Sequence, residues 1–176
     1  AAAANQPDAL FKLAEWRIRG ERLPRDLTLA RELLGRAAAG GNANAAIIHT
    51  NFTASGIGGP SEWPHAIELL RKLAAKNPNA KRQLEIVNAM DLSETGDPVS
   101  LPEGELLSES PYVMLFSGAF TPAECKYLIE AADPLFRPSV VVDERTGRQI
   151  KNPIRTSDGA GFTWPLENPA VHAVNR

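Results

Sequence analysis

The sequence predicts an α+β chain of two domains, an N-terminal α-solenoid of helix-turn-helix repeats followed by a β-rich domain. Three observations carry this prediction. Residues 1–92 hold 19 of the 26 alanines and a single valine, whereas residues 93–176 hold seven alanines, seven valines and four of the six phenylalanines. Alanine favours helix, and valine and phenylalanine favour strand. The first half also repeats itself at an offset of 36 residues. Finally, the stretch from Ser93 to Pro111 carries Pro98, Pro102, Pro111, two glycines and five acidic residues with little periodicity, which reads as a linker or an extended wrap-around segment. The expected boundaries are 1–92 for the helical repeats, 93–110 for the linker and 111–176 for the β-domain.

Each repeat is expected to be a pair of helices. The first pair runs from Asp8 to about Arg19 and from Asp26 to about Ala39, with Asp26 as N-cap and Gly40-Gly41 as the stop. At the 36-residue offset Ala30 falls on Ala66, Glu32 on Glu68, Leu33 on Leu69, Leu34 on Leu70, Ala38 on Ala74 and Ala39 on Ala75. Gly20 falls on Gly56 and Ala9 on Ala45. A fixed period of this size is the signature of a helical solenoid. A further helix, Asn79 to Met90, follows Asn77-Pro78 and would cover the end of the second pair. Leu13-Ala14, Gly20, Leu23, Asp26, Leu29-Ala30, Ala37-Ala38 and Gly41 resemble the Sel-like repeats, which are related to tetratricopeptide repeats. The second copy has Glu62 where the turn aspartate would fall. The resemblance implies a protein-interaction scaffold over about residues 8–78.

Other features of this half have simpler readings. Gly56-x-Gly58 has Ser61 at the third glycine position of a dinucleotide fingerprint and no strand before it, so it reads as a repeat turn. Arg17, Arg19, Arg22 and Arg25 form a basic cluster that is either a solvated helix face or a dock for something acidic. His49 and His65 are lone histidines without metal-ligand spacing, read as surface or packing residues. Asn51-Phe52-Thr53 matches a glycosylation sequon by pattern only.

In the second half, Tyr112 to Phe116 is an apolar run of strand length. Thr121-Pro122-Ala123-Glu124 reads as a capped helix start, and Cys125, Leu128, Ile129 and Ala132 share one apolar face of that helix. Cys125 is expected to be a small buried hydrophobe. Asp133-Pro134 ends the helix. Ser139 to Asp143 reads as a strand, Glu144 to Gly147 as a hairpin turn, and Arg148-Gln149-Ile150 as the returning strand. The segment from Pro153 to Ser157 extends onward, and Asn168-Pro169 starts a last helix.

This order, with Phe120-x-Pro122-x-Glu124-Cys125-x-x-Leu128-Ile129, Pro138-Ser139-Val140-Val141, Asp143-x-x-Thr146-Gly147 and Arg155-Thr156-Ser157, resembles the N-terminal portion of the prolyl 4-hydroxylase family of iron(II)/2-oxoglutarate dioxygenases. The resemblance covers about Tyr112 to Arg176. It implies the start of a double-stranded β-helix, a jelly roll of eight core strands, incomplete in this chain. It also implies iron(II) and 2-oxoglutarate as cofactors, ascorbate as an accessory reductant, and a peptidyl-proline protein substrate. Arg155, Thr156 and Ser157 would lie beside the substrate-peptide groove. A guanidinium and two hydroxyls can bond the main chain of a polyproline II peptide, which has no internal hydrogen bonds; alternatively, Arg155 pairs with Asp158 or Asp143 and ties strands together.

One departure governs the mechanism. The family's chemistry needs a His-x-Asp pair and a distal histidine, whereas this chain reads His49-Thr50-Asn51, His65-Ala66-Ile67 and His172-Ala173-Val174. No metal ligand and no catalytic residue is therefore assigned. Eight strands with turns and helices need well over ~100 residues, more than the 66 from Pro111 onward. The chain is expected to be a fragment of a longer enzyme, or else a non-catalytic interaction module with a degenerate β-segment. Exposed strand edges make packing against the repeats, or a homodimer, a further expectation.

Composition bounds the rest. A formal net charge of −2, divided into +3 over residues 1–92 and −5 over 93–176, gives no case for nucleic acid or an anionic membrane. One cysteine, Cys125, excludes an internal disulfide and a cysteine-based zinc site. Ala1 to Asp8 has the features of no secretory leader, and no apolar run reaches membrane-spanning length. The expectation is a cytoplasmic, bacterial protein.

Overall fold

A computed structural model describes residues 6–151, 154, 156–165 and 167–176. By contacts the chain falls into two compact units, residues 1–117 with 164–176, and residues 118–163. The first unit is built on five helices, α1 (Pro7–Arg19), α2 (Leu27–Ala39), α3 (Ala43–Ser55), α4 (Trp63–Ala74) and α5 (Pro78–Ala89), each packed on the next. These are the stacked helix pairs that the 36-residue period predicts.

The turns explain why the pairs fold alike. Gly20 and Gly56, one period apart, end α1 and α3 in the same left-handed conformation, with φ of 73° and 75°. That conformation costs an L side chain ~1–2 kcal/mol. Asp26 caps α2 by accepting from the Leu29 amide at 2.9 Å, and Asn42 caps α3 from the Ala45 amide at 2.7 Å. Asn42 also donates to Asp8 at 2.8 Å, joining the start of α3 to the start of α1. Glu62, at the N-cap of α4, makes no side-chain cap bond. Its carboxylate instead accepts from Arg31 Nη2 at 2.5 Å, while Arg31 Nη1 donates to the Pro60 carbonyl at 2.8 Å. The repeat thus exchanges a local cap for an ion pair between successive helix pairs.

The core holds Leu10, Ala14, Ile18, Ala30, Leu33, Leu34, Ala37, Ala45 and Phe52. α3 lacks a polar face because it is covered on several sides, as expected for a central helix. Its buried hydroxyls bond back to their own helix, Thr50 to the Ala46 carbonyl and Thr53 to the His49 carbonyl. The arginines around the first turn are engaged locally. Arg17 donates to the Pro24 carbonyl, Arg25 to the Ile18 carbonyl, and the Arg22 guanidinium lies 5.4 Å from the centre of the Trp16 ring.

The segment expected as linker contains a strand. β1 (Gly104–Glu109) pairs antiparallel with β2 (Tyr112–Phe116) through a turn at Ser110-Pro111, whose peptide bond is cis. No residue of this hairpin is buried. Earlier in the segment, Gly96 lies flat on the Trp63 ring.

The last helix, α7 (Pro169–Val174), belongs to this first unit and packs on α3, α4 and α5. Asn168 caps it, accepting from the Ala170 and Val171 amides at 3.1 Å each. Pro169, Ala170, Val171 and Ala173 are buried, the His172 ring lies 6.2 Å from that of Trp63, and Arg176 pairs with Asp97. Just ahead of the helix, the Trp164 ring lies 5.8 Å from that of Phe52.

The second unit contains α6 (Pro122–Ala132), β3 (Arg137–Pro138), β4 (Val140–Val142), β5 (Gln149–Lys151) and β6 (Asp158–Gly159). Thr121 and Glu124 form a reciprocal capping box at the start of α6. β4 pairs with β5 across the expected turn, which Asp143 braces by accepting from the Arg145 and Thr146 amides and in which Gly147 has φ of 66°. β3 pairs with β6. With the β1–β2 hairpin of the first unit, the described strands make three separate two-stranded antiparallel pairs and no jelly-roll sheet. The physical reason is cover: among the described residues of 118–163 only Tyr127 is buried, so no second apolar layer stands opposite these strands.

The turns and the ion pair each carry a stability prediction. A Cβ on Gly58, which has φ of 76°, would lie 2.2 Å from the Leu27 carbonyl oxygen. Gly41 shares a positive φ but has open space around it. Gly58→Ala is expected to cost at least ~2 kcal/mol and clearly more than Gly41→Ala, read by urea unfolding. Arg31→Met is expected to cost ~1–3 kcal/mol, because the Pro60 carbonyl loses its donor, whereas Glu62→Gln, at a half-exposed carboxylate, should cost less than ~1 kcal/mol.

Candidate functional site

Of the residues predicted to line a substrate groove, Thr156 and Ser157 immediately precede β6 in the second unit. Arg155 falls outside the described residues. Thr156 and Ser157 are exposed. Ser157 runs antiparallel to Ser139: its carbonyl accepts from the Ser139 amide at 3.0 Å, and its hydroxyl donates to the Ser139 hydroxyl at 3.2 Å. Ser157 is therefore tied to the neighbouring strand, leaving Thr156 beside it open to solvent.

Cys125 corrects one expectation. It is exposed, as is Ile129 at 67%, and the buried residue of α6 is Tyr127. The four apolar residues do share a helix side, but Leu128 and Ala132 are only half-buried and Cys125 and Ile129 are exposed. Among the described residues no group of three His, Cys, Asp or Glu side chains could hold a metal ion. His65 lies beside Glu68, and His172 faces Glu167 with its Nδ1 at 3.0 Å.

The repeat unit carries a cavity of about 380 Å³ between α2, α3 and α4, lined by Gly35, Ala38, Ala39, Ala46, His49, Thr50, Leu69, Lys72 and Leu73. His49 sits against the backbone of α2: a Cβ on Gly35 would lie 3.0 Å from its Nε2. Gly35 in mid-helix costs α2 ~1 kcal/mol relative to alanine, and the imidazole occupies the space this leaves. Burial, reinforced by the charges of Arg31 and His65 and opposed by Glu62, holds the His49 pKa below the ordinary 6.5. Sequence reasoning treated His49 as a lone histidine. The usable signal lay in the repeat itself, where His49 stands one period after Leu13 and Ala46 one period after Leu10.

No family model matches the chain. It is 39% identical over 73 residues to prolyl 4-hydroxylase 1 of Arabidopsis thaliana, a match covering 41% of this chain and 26% of that protein. It is 44% identical over 55 residues to the same plant's probable prolyl 4-hydroxylase 10, covering 31% and 19%. Over 87 residues it is 32% identical to prolyl 4-hydroxylase 5, covering 47% and 30%. The matches thus span between about a fifth and just under a third of these relatives. A crystal structure of a Sel1 repeat protein from Oxalobacter formigenes matches 48% of this chain and 64% of its own, at 29% identity and a TM-score of 0.45. Among the described residues no helix is long and apolar enough to cross a membrane.

The depressed pKa of His49 has a definite consequence for stability. The unfolded chain binds the proton more readily, so folding is most favoured above pH 6.5 and loses this contribution as pH falls from there through the lower folded value. Urea midpoints measured between pH 8 and pH 5 are expected to fall more steeply for the natural protein than for His49→Gln. Equal slopes would remove His49 from the account.

Proposed function

We propose that this chain is part of an iron(II)- and 2-oxoglutarate-dependent dioxygenase resembling peptidyl prolyl 4-hydroxylases, in which the helical repeats recruit the protein substrate. The partial similarity to plant prolyl 4-hydroxylases carries this reading. The uncovered apolar side chains of residues 118–163, among them Phe120, Ile129, Phe136, Val142 and Ile150, support it, because they are surfaces that additional strands of a larger β-fold would bury. Arg155, Thr156 and Ser157 are proposed to bond the main chain of a peptidyl-proline substrate. The exposure of Thr156 favours that role. The proposed location is the cytoplasm of a bacterium.

The residues of this chain do not fit the iron centre. None of His49, His65 and His172 has an acid two positions on, and the described donors do not converge. These residues therefore support no chemical step through iron, 2-oxoglutarate or ascorbate. The same misfit favours a second reading, a non-catalytic module in which the repeats bind a partner and the β-segment caps them.

The experiment is to isolate the protein from its natural source, measure its intact mass and assay 2-oxoglutarate turnover with iron(II) and proline-rich peptides. The expected result is a mass above 19.0 kDa, with succinate formed in step with hydroxyproline. A natural product of 19.0 kDa without turnover overturns the hydroxylase reading in favour of the module.

A further inference from the structure

At the cavity between α2, α3 and α4 the second repeat departs from the first. Leu10, buried at 1%, fills the corresponding position of the first helix pair. One period on, its place is taken by Ala46, and Leu13 gives way to His49. Both replacements line the cavity. The first exchange opens space and the second puts an imidazole into it. On the facing helix the imidazole stands against Gly35 while Ala38 and Ala39 leave the remaining space unfilled, and Leu69 and Leu73 form an apolar wall.

Three polar side chains line this space, His49, Thr50 and the exposed Lys72, and the Thr50 hydroxyl is bonded to the Ala46 carbonyl. Among the described residues, neither the His49 ring nor the Lys72 ammonium has a hydrogen-bond partner. The other charges near His49 are accounted for. Arg31 from α2 is paired with Glu62 at the start of α4, and His65 lies beside Glu68. Burial disfavours the charged form of His49, and Lys72 adds a cationic side chain at the exposed rim of the apolar cavity. The volume falls within the range of small-ligand pockets, ~300–1,000 Å³, which combine apolar walls with a few polar groups that fix orientation.

We propose that this cavity binds an aliphatic carboxylate, with Leu69, Leu73 and the surrounding alanines enclosing its hydrocarbon part and Lys72 and the His49 imidazole holding its carboxylate. The same chemistry is offered by a peptide chain ending in a leucine-like residue and by a free aliphatic acid. The assignment does not rest on the hydroxylase reading, since every residue in it belongs to the repeat unit.

Amide spectra of the full chain titrated with N-acetyl-leucine, hexanoate and the tetrapeptide Gly-Ser-Gly-Leu test it, with N-acetyl-leucinamide and N-acetylglycine as controls. Saturable shifts are expected at residues 35–39, 46–50 and 69–73, with both controls at least threefold weaker. Ala46→Leu restores the side chain of the first repeat and is expected to abolish binding without lowering the melting temperature. Lys72→Met should reduce the acid to the affinity of the amide, about threefold for a charge at a solvent-exposed mouth. Binding of the peptide and N-acetyl-leucine with hexanoate tenfold weaker supports a peptide end, and hexanoate at equal strength supports a free acid. Absence of saturable shifts with all three acids, equal affinity for the amide, or undiminished binding in Ala46→Leu overturns the proposal.

Discussion

Close approach of helices through alanine is the constraint on which the repeat unit depends. Ala14, Ala30, Ala37, Ala45, Ala54 and Ala66 all have 0% exposure, and they lie along the crossings of α1 to α4. An alanine contributes little apolar area of its own, so its burial is not the main source of stability. What it does is set the distance between helix axes. At that distance Leu10, Leu33, Leu34, Phe52 and Leu70 reach across and bury nearly their whole side chains. A larger residue at one of the alanine positions would push the axes apart, and each leucine around it would lose contacts.

The stack also has to be held in register and closed. Register comes from polar links that bridge non-neighbouring turns: Asn42 to Asp8 between the two pair starts, and Arg31 to Pro60 and Glu62. Closure comes from α7. A solenoid leaves the outer faces of its helices open unless something caps them. Here α7 lies on α3 and α5, the leading helices of successive pairs. Val171 and Ala170 are almost wholly buried in that contact, and Asp97 is held charged below its ordinary range by Thr95 and Arg176. The same helix α3 therefore serves two surfaces: Asn51 and Phe52 toward Pro165 and Trp164, and Ala46, His49 and Thr50 toward the cavity.

How much of this was legible in the sequence depended on how local the signal was. All five repeat helices were, because the period, the caps and the turn glycines are written in neighbouring residues. β1 was not. Leu106 and Leu107 are adjacent rather than alternating, and the register with β2 shifts between Leu106 and Ser108, so a bulge hides the two-residue period on which a strand is recognised. Cys125 was misjudged for a different reason. The spacing on α6 correctly shows an apolar side, but burial depends on what lies opposite it, which no local pattern reports. The groove residues share this limit, since Ser157 is placed by Ser139, eighteen positions away. The cavity was legible in principle, as two among several differences between the repeats, Leu10 to Ala46 and Leu13 to His49.

Those mismatches bear on why the two repeats are unequal. A leucine-to-alanine exchange in a closed core is destabilising in proportion to the void it leaves, ~24 cal/mol per Å³ in measured cases. A stack selected for stability alone would keep leucine at position 46 as it does at position 10. The second repeat gives up that leucine and places an imidazole where burial disfavours its charged form, and α2 of the first pair gives up helix propensity at Gly35. Three unfavourable choices meet at one point of the helix stack. Local conflict inside an otherwise consistent fold is the pattern expected of a site kept for something other than stability. The site proposed for this unit is therefore the gap between α2, α3 and α4.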